Sequence, residues 1–181
     1  MTIKDKENLM SHSREARLQN MEDALKLCLA RIDKVMFIEV YFAPTSEEFQ
    51  EIYGTTWKHL EDEGLLKSLR GHGYDMYQFT GRGWRVALEI TGELESPELK
   101  ANLGKLSQTL KDEVKGRQDP GFLSLDQIAE RSGLGADWIF NALDGELIQH
   151  CFHQVGAEWE HRGKFVRVPI DFGLPPIRAI I

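Results

Sequence analysis

A short pattern is written twice in this chain, 82 residues apart and without a gap. Tyr77 to Leu88 aligns with Trp159 to Ile170: Tyr77 falls on Trp159, Gly81 on Gly163, Arg82 on Lys164, Arg85 on Arg167, Val86 on Val168 and Leu88 on Ile170. Each copy follows a segment ending in large aliphatic residues, Glu63-Gly64-Leu65-Leu66 in the first and Glu146-Leu147-Ile148 in the second. The pattern predicts, in each copy, a helix followed by two strands joined at a glycine-bearing turn. A repeated unit constrains architecture strongly, because each copy must bury the same apolar face. Two related small units in tandem are therefore expected.

Composition sets the remaining bounds. At 181 residues, with 41% apolar and 28% charged side chains, the chain reads as ordinary, soluble and globular, with room for two small units. Its longest apolar run, Val35 to Ala43, is broken by Glu39 and falls short of the roughly 20 residues that span a bilayer. Met1 to Arg17 is polar and mixed in charge, unlike a secretory signal. Cys28 and Cys151 make no disulfide framework, so a cytoplasmic location is expected. The net charge is −7 but unevenly placed. Residues 45–63 set six carboxylates against Lys58, whereas residues 64–90 set Lys67, Arg70, Arg82 and Arg85 against Asp75 and Glu89.

Residues 1–20 lack sustained periodicity and are expected to be a flexible tail or a frayed helix start. A first unit is placed at 21–95. Met21, Leu25, Leu29 and Ile32 predict a helix over Met21 to Asp33, while Val35 to Phe42 fits strand or buried helix equally. Thr45 and Glu48 have capping-box spacing before a helix carrying Phe49, Ile52, Tyr53, Trp57 and Leu60, which Gly54 interrupts and Gly64 ends. Gly71-His72-Gly73 predicts a tight reversal, and alternation continues through Met76 and Gln78 towards Gly81-Arg82-Gly83.

A second unit is placed at 96–181, including a leading helix over 97–115 and a C-terminal extension. Ser96-Pro97-Glu98 combines a cap, a first-turn proline and an acid. Leu99, Leu103, Leu106 and Leu110 then form one stripe, suited either to a homodimer seam or to the first core helix of this unit. Ser124 and Gln127 have capping-box spacing ahead of Leu125 to Ile139. That stretch has a small residue where two helices would cross (Ala129), a glycine where the turn needs positive φ (Gly133), and apolar residues at Ile128, Leu134 and Ile139.

These features resemble a helix-turn-helix, and with the hairpins they resemble tandem winged-helix proteins of bacterial or phage type over roughly residues 21–170. The resemblance implies an α+β fold, mostly α with small β-hairpins: two winged helix-turn-helix domains in tandem, with Phe79-Thr80-Gly81-Arg82-Gly83-Trp84 as a wing. It implies double-stranded DNA binding, as in a transcriptional regulator, with protein–protein adaptors as a minority role.

The chemistry of the residues divides between those two roles. In the recognition helix, Gly135 to Asp144, only Asn141 among the outward positions is of a type that reads base edges, and Asp137 and Asp144 carry the wrong sign for phosphate. Trp138 and Phe140 suit a protein partner instead. Basic residues Lys67, Arg70, Arg82, Arg85, Arg162, Lys164 and Arg167 are candidates for phosphate contact if they lie on wings, or are merely solvated hairpin residues. On a strand, Cys151 and His153 would share one face, but two ligands do not make a structural zinc site. Gly71-x-Gly73 and Gly81-x-Gly83 lack the third glycine of a dinucleotide loop, and no nucleophile elbow occurs. No enzymatic activity, cofactor, metal or membrane partner is therefore expected.

Overall fold

Helix α1, Ile3–Leu29, opens a computed structural model that describes residues 3–32, 42, 49, 52, 54–71, 74–114, 121–148, 154–158 and 163–168. Met21, Leu25, Cys28 and Ile32 are buried in helical spacing, whereas Ser13 to Gln19 are exposed. The helix thus runs through residues 3–20, where a tail or frayed start was expected. Good helix formers such as Lys, Glu, Arg and Leu propagate a helix already anchored by its buried C-terminal stripe.

The first half continues with α2, Gly54–Asp62, and a hairpin of β1, Leu66–Gly71, and β2, Tyr74–Phe79. Gly64 closes α2 with φ +67°, as expected of a glycine beyond a helix end. Pairing runs from Leu66↔Phe79 to Gly71↔Tyr74, which puts the reversal where Gly71-His72-Gly73 predicts it. Phe42 exchanges two backbone hydrogen bonds with Tyr77, at 2.8 and 2.9 Å, so the chain is extended at that point. The capping box at Thr45 and Glu48 and most of Val35 to Phe42 lie outside the described residues. Aromatic rings fill the space beneath the hairpin. Trp57 stacks on Tyr77 at 5.3 Å, and Phe42 meets Phe49 and Phe79 edge-on.

The chain then departs from the expected wing. Residues Gly81–Thr91 form a helix, α3, and not the second strand of a hairpin. Two periodicities compete in this segment. Trp84, Val86, Leu88 and Ile90 alternate as a strand would, yet Trp84, Ala87 and Leu88, the residues that are buried, have helical spacing. Thr80 decides locally: its Oγ1 accepts a hydrogen bond from Gly83 N at 2.9 Å, as an N-cap does. Since Gly163–Val168 is a strand, the 82-residue correspondence sets a helix against a strand and is not a structural repeat.

A 3₁₀ turn, Glu93–Glu95, leads into α4, Pro97–Val114, capped by Ser96 Oγ accepting from Leu99 N at 3.2 Å. Leu99, Leu106 and Leu110 are buried within the chain itself, so this stripe serves as core. Next come β3, Gly121–Ser124, α5, Leu125–Ser132, α6, Ala136–Asp144, β4, Gln154–Glu158, and β5, Gly163–Val168. Strand β5 lies between β3 and β4, antiparallel to both. Gly133 adopts φ +69° between α5 and α6, and Ile128, Leu134 and Ile139 are buried, as the sequence predicts. Ser124 begins α5 without a side-chain capping bond, so the capping box expected there does not form. The architecture is α+β, mostly helical, with two small antiparallel sheets among the described residues. Among the described residues no helix is long and apolar enough to cross a membrane.

Candidate functional site

The two halves meet where α3 crosses α6. Helices approach this closely only if side chains are absent at the contact, and glycines supply that absence on both sides. At the α3–α6 contact a Cβ placed on Gly81 would lie 2.3 Å from Gly145 N, and within the first half one on Gly83 would lie 1.7 Å from the Leu65 carbonyl oxygen. The Thr80-Gly81-Arg82-Gly83 segment, expected to be a wing tip, is therefore a packing junction. Thr80 Oγ1 reaches the carbonyl of Gly64 at 2.7 Å, and Arg82 Nη1 donates to the carbonyl of Glu63 at 3.0 Å, satisfying acceptors left over at the end of α2. From the other half, Asp144 Oδ2 accepts from Gly81 N at 2.9 Å. A carboxylate at a helix N-terminus is favoured by both the free N–H groups and the helix dipole. Just below, Trp84 and Trp138 meet edge-to-face at 5.5 Å.

This junction changes what α6 can do. Trp138, Ile139, Asn141, Ala142 and Leu143 are buried, an arc of about 200° at 100° per residue, twice the stripe of a helix covered on one side. Asp144 is the only exposed residue of α6, and it is engaged with Gly81. Asn141, expected to face outward, is 5% exposed and donates its side-chain N–H to the Asp137 carbonyl at 2.8 Å. Trp138, expected on a protein-binding surface, is 1% exposed. Phe140 is half-buried against the core.

The basic residues scatter. Lys67 is exposed on β1, and Arg70 lies on the same strand. Arg82 and Arg85 belong to α3 and not to a wing; Arg85 Nε pairs with Glu89 Oε1 at 3.0 Å. Lys164 and Arg167 lie on β5, while Arg162, like Cys151 and His153, lies outside the described residues. Among the described residues no three His, Cys, Asp or Glu side chains converge as metal ligands. Cys28 is a free thiol in the core, and burial pushes its pKa far above the ordinary range.

Sequence reasoning named Arg82, Arg85 and Asp144 separately, but missed Glu89 and Glu146 and the cleft that brings all five together at the junction. Arg82, Arg85 and Glu89 form its α3 wall, and Asp144, Gly145 and Glu146 form the opposite wall, around about 430 Å³. Glu146 has φ +53°, a left-handed conformation rare outside glycine. The C-terminal turn of α6 explains it: Leu147 N bonds to the Ala142 carbonyl at 2.9 Å, placing Glu146 at the position glycine usually takes. The glycine stands one residue earlier because Gly81 lies against Gly145. A smaller cavity of about 30 Å³ lies beside Trp84 and Trp138, room for a water or two.

No family model, curated protein or solved structure matches the chain.

Proposed function

We propose that this chain is a non-catalytic protein–protein interaction adaptor whose C-terminal half, residues 97–168, is a single winged-helix unit. The reading of that half rests on its order of elements. A leading helix, a strand, two helices joined at Gly133 and a hairpin follow one another, and the hairpin's second strand pairs with the strand ahead of the helices. The first half has helix, hairpin and helix in another order, so the winged-helix reading is not extended to it.

The observation that carries the adaptor role is the burial of α6. A recognition helix must offer an exposed face to enter a major groove. Here α3 packs on α6 at Trp138, Asp144 and Gly145, Asn141 is buried and spent on the α6 backbone, and the one exposed side chain of α6 is a carboxylate. A net charge of −7 also opposes phosphate binding. What remains for a partner is a set of mixed-charge helical surfaces around the junction, with Phe140 at its edge.

Fluorescence anisotropy with a mixed-sequence duplex at about 50 mM salt separates the two roles. The adaptor reading expects no binding, together with a protein partner retained by the parent chain and lost with Phe140→Ala. Duplex binding that weakens steeply with salt, and that falls when Arg162, Lys164 and Arg167 are replaced by Ala, overturns it.

A further inference from the structure

We propose that the cleft between α3 and the turn after α6 binds a small zwitterion of the free amino-acid type, carrying one carboxylate and one ammonium group. The site goes beyond the adaptor reading and does not depend on it.

The two walls carry opposite chemistry. Arg82 and Arg85, three residues apart on α3, line one side, and Asp144 with Glu146 lines the other, around about 430 Å³. That volume falls within the roughly 300–1,000 Å³ of small-molecule sites. Both arginines are already held, Arg82 through Nη1 on the Glu63 carbonyl and Arg85 through Nε on Glu89. Each guanidinium keeps further N–H donors, and a side chain ordered in advance loses less freedom when a ligand arrives. Asp144 is fixed through Oδ2 on Gly81 N, which leaves its other oxygen as an acceptor.

Sign selects the ligand. A simple anion would meet the arginines but also face Asp144, Glu146 and Glu89, and a simple cation would face two guanidiniums. A molecule with both charges satisfies both walls. Glu146 supplies the free acceptor for the ammonium: its carboxylate is exposed at the cleft and makes no side-chain hydrogen bond or ion pair among the described residues. Because the walls come from different halves, a bound zwitterion would tie α3 to α6 and stabilise the whole chain.

The test is ¹⁵N–¹H correlation spectroscopy on the full chain, titrated with glycine and then with each of the other common L-amino acids to about 10 mM, with acetate and methylammonium as single-charge controls. The expected result is a saturable shift at the amides of Arg82, Arg85, Gly145 and Glu146 with at least one amino acid, and none with either control. Glu146→Gly should leave the melting temperature equal or higher while weakening that binding at least tenfold. Three results overturn the proposal: no saturable shift with any amino acid, an equal response to acetate alone, or unchanged affinity in Glu146→Gly. None of these bears on duplex binding, so failure here is distinguishable from failure of the adaptor reading.

Discussion

Gly81 and Gly145 lie against each other so closely that a Cβ on Gly145 would stand 2.4 Å from the Gly81 carbonyl oxygen. Sixty-four residues separate them in sequence, and each sits at the end of a helix. The contact joins the two halves, and its geometry makes a stability prediction. Gly145→Ala must push α3 off α6 and should cost about 1–3 kcal/mol, as overpacking does. Gly104→Ala is the control: it is exposed within α4 with nothing near the new Cβ, and should stabilise by about 0.5–1 kcal/mol. Urea unfolding of the two variants checks both signs; equal effects would show that the halves are not in contact.

Asp144 caps a helix that it does not belong to. Removing the acceptor in Asp144→Ala should cost about 1 kcal/mol, the usual loss for a cap. Asp144→Asn keeps an acceptor and loses only the charge–dipole part, about 0.3–1 kcal/mol. Its deficit should shrink towards zero in molar salt, because exposed charges are screened there. An Asn variant as damaged as the Ala variant at every salt concentration would contradict this account.

Trp84 and Trp138 meet edge-to-face across the junction. A double-mutant cycle using Trp84→Leu and Trp138→Leu should show a coupling of about 0.5–1.5 kcal/mol. Additive losses would place the rings apart in solution.

Gly133 tests the turn between α5 and α6. Its φ is +69°, and a Cβ there meets nothing within 4 Å, so any penalty is one of backbone conformation and not of clash. Gly133→Val should cost about 1–3 kcal/mol, with a β-branched residue at the upper end. Gly133→Asn should cost less, because asparagine tolerates the left-handed region. Thermal melts that rank Val and Asn equally would count against the assignment.

Cys28 links the core to pH. Burial raises its thiol pKa in the folded chain, so the folded state holds that proton more tightly than the unfolded one. The resulting stability is fully present below the ordinary thiol value of about 8.5 and is lost progressively as pH rises above it. In a Cys151→Ser background, iodoacetamide at mildly alkaline pH should label Cys28 only on unfolding. Labelling at the rate of a free peptide thiol would show that α1 does not bury it.

Features that depend on neighbours in sequence were legible in the residues alone. The Met21–Ile32 stripe, the helix end at Gly64, the hairpin pairing that ends at Gly71 and Tyr74, the cap at Ser96 and the positive φ of Gly133 all rest on interactions spanning a few residues. Local propensity and periodicity encode such interactions directly. The segment after Phe79 was different, because its apolar residues satisfy a strand and a helix at once. Thr80 could have tipped the reading as an N-cap, but Gly81 and Gly83 carried the look of a turn. Only the tertiary structure shows that they are glycines because Leu65 and Gly145 lie against them. The fate of α6 was likewise beyond local reading: Trp138 and Asn141 were expected on an outward face, yet both are buried, Trp138 against Trp84 of a helix from the other half. The sequence by itself determined which segments carry apolar stripes and where helices stop. The tertiary structure decided which faces remain in water, since burial is settled by what packs from far along the chain, and no short-range pattern records that partner.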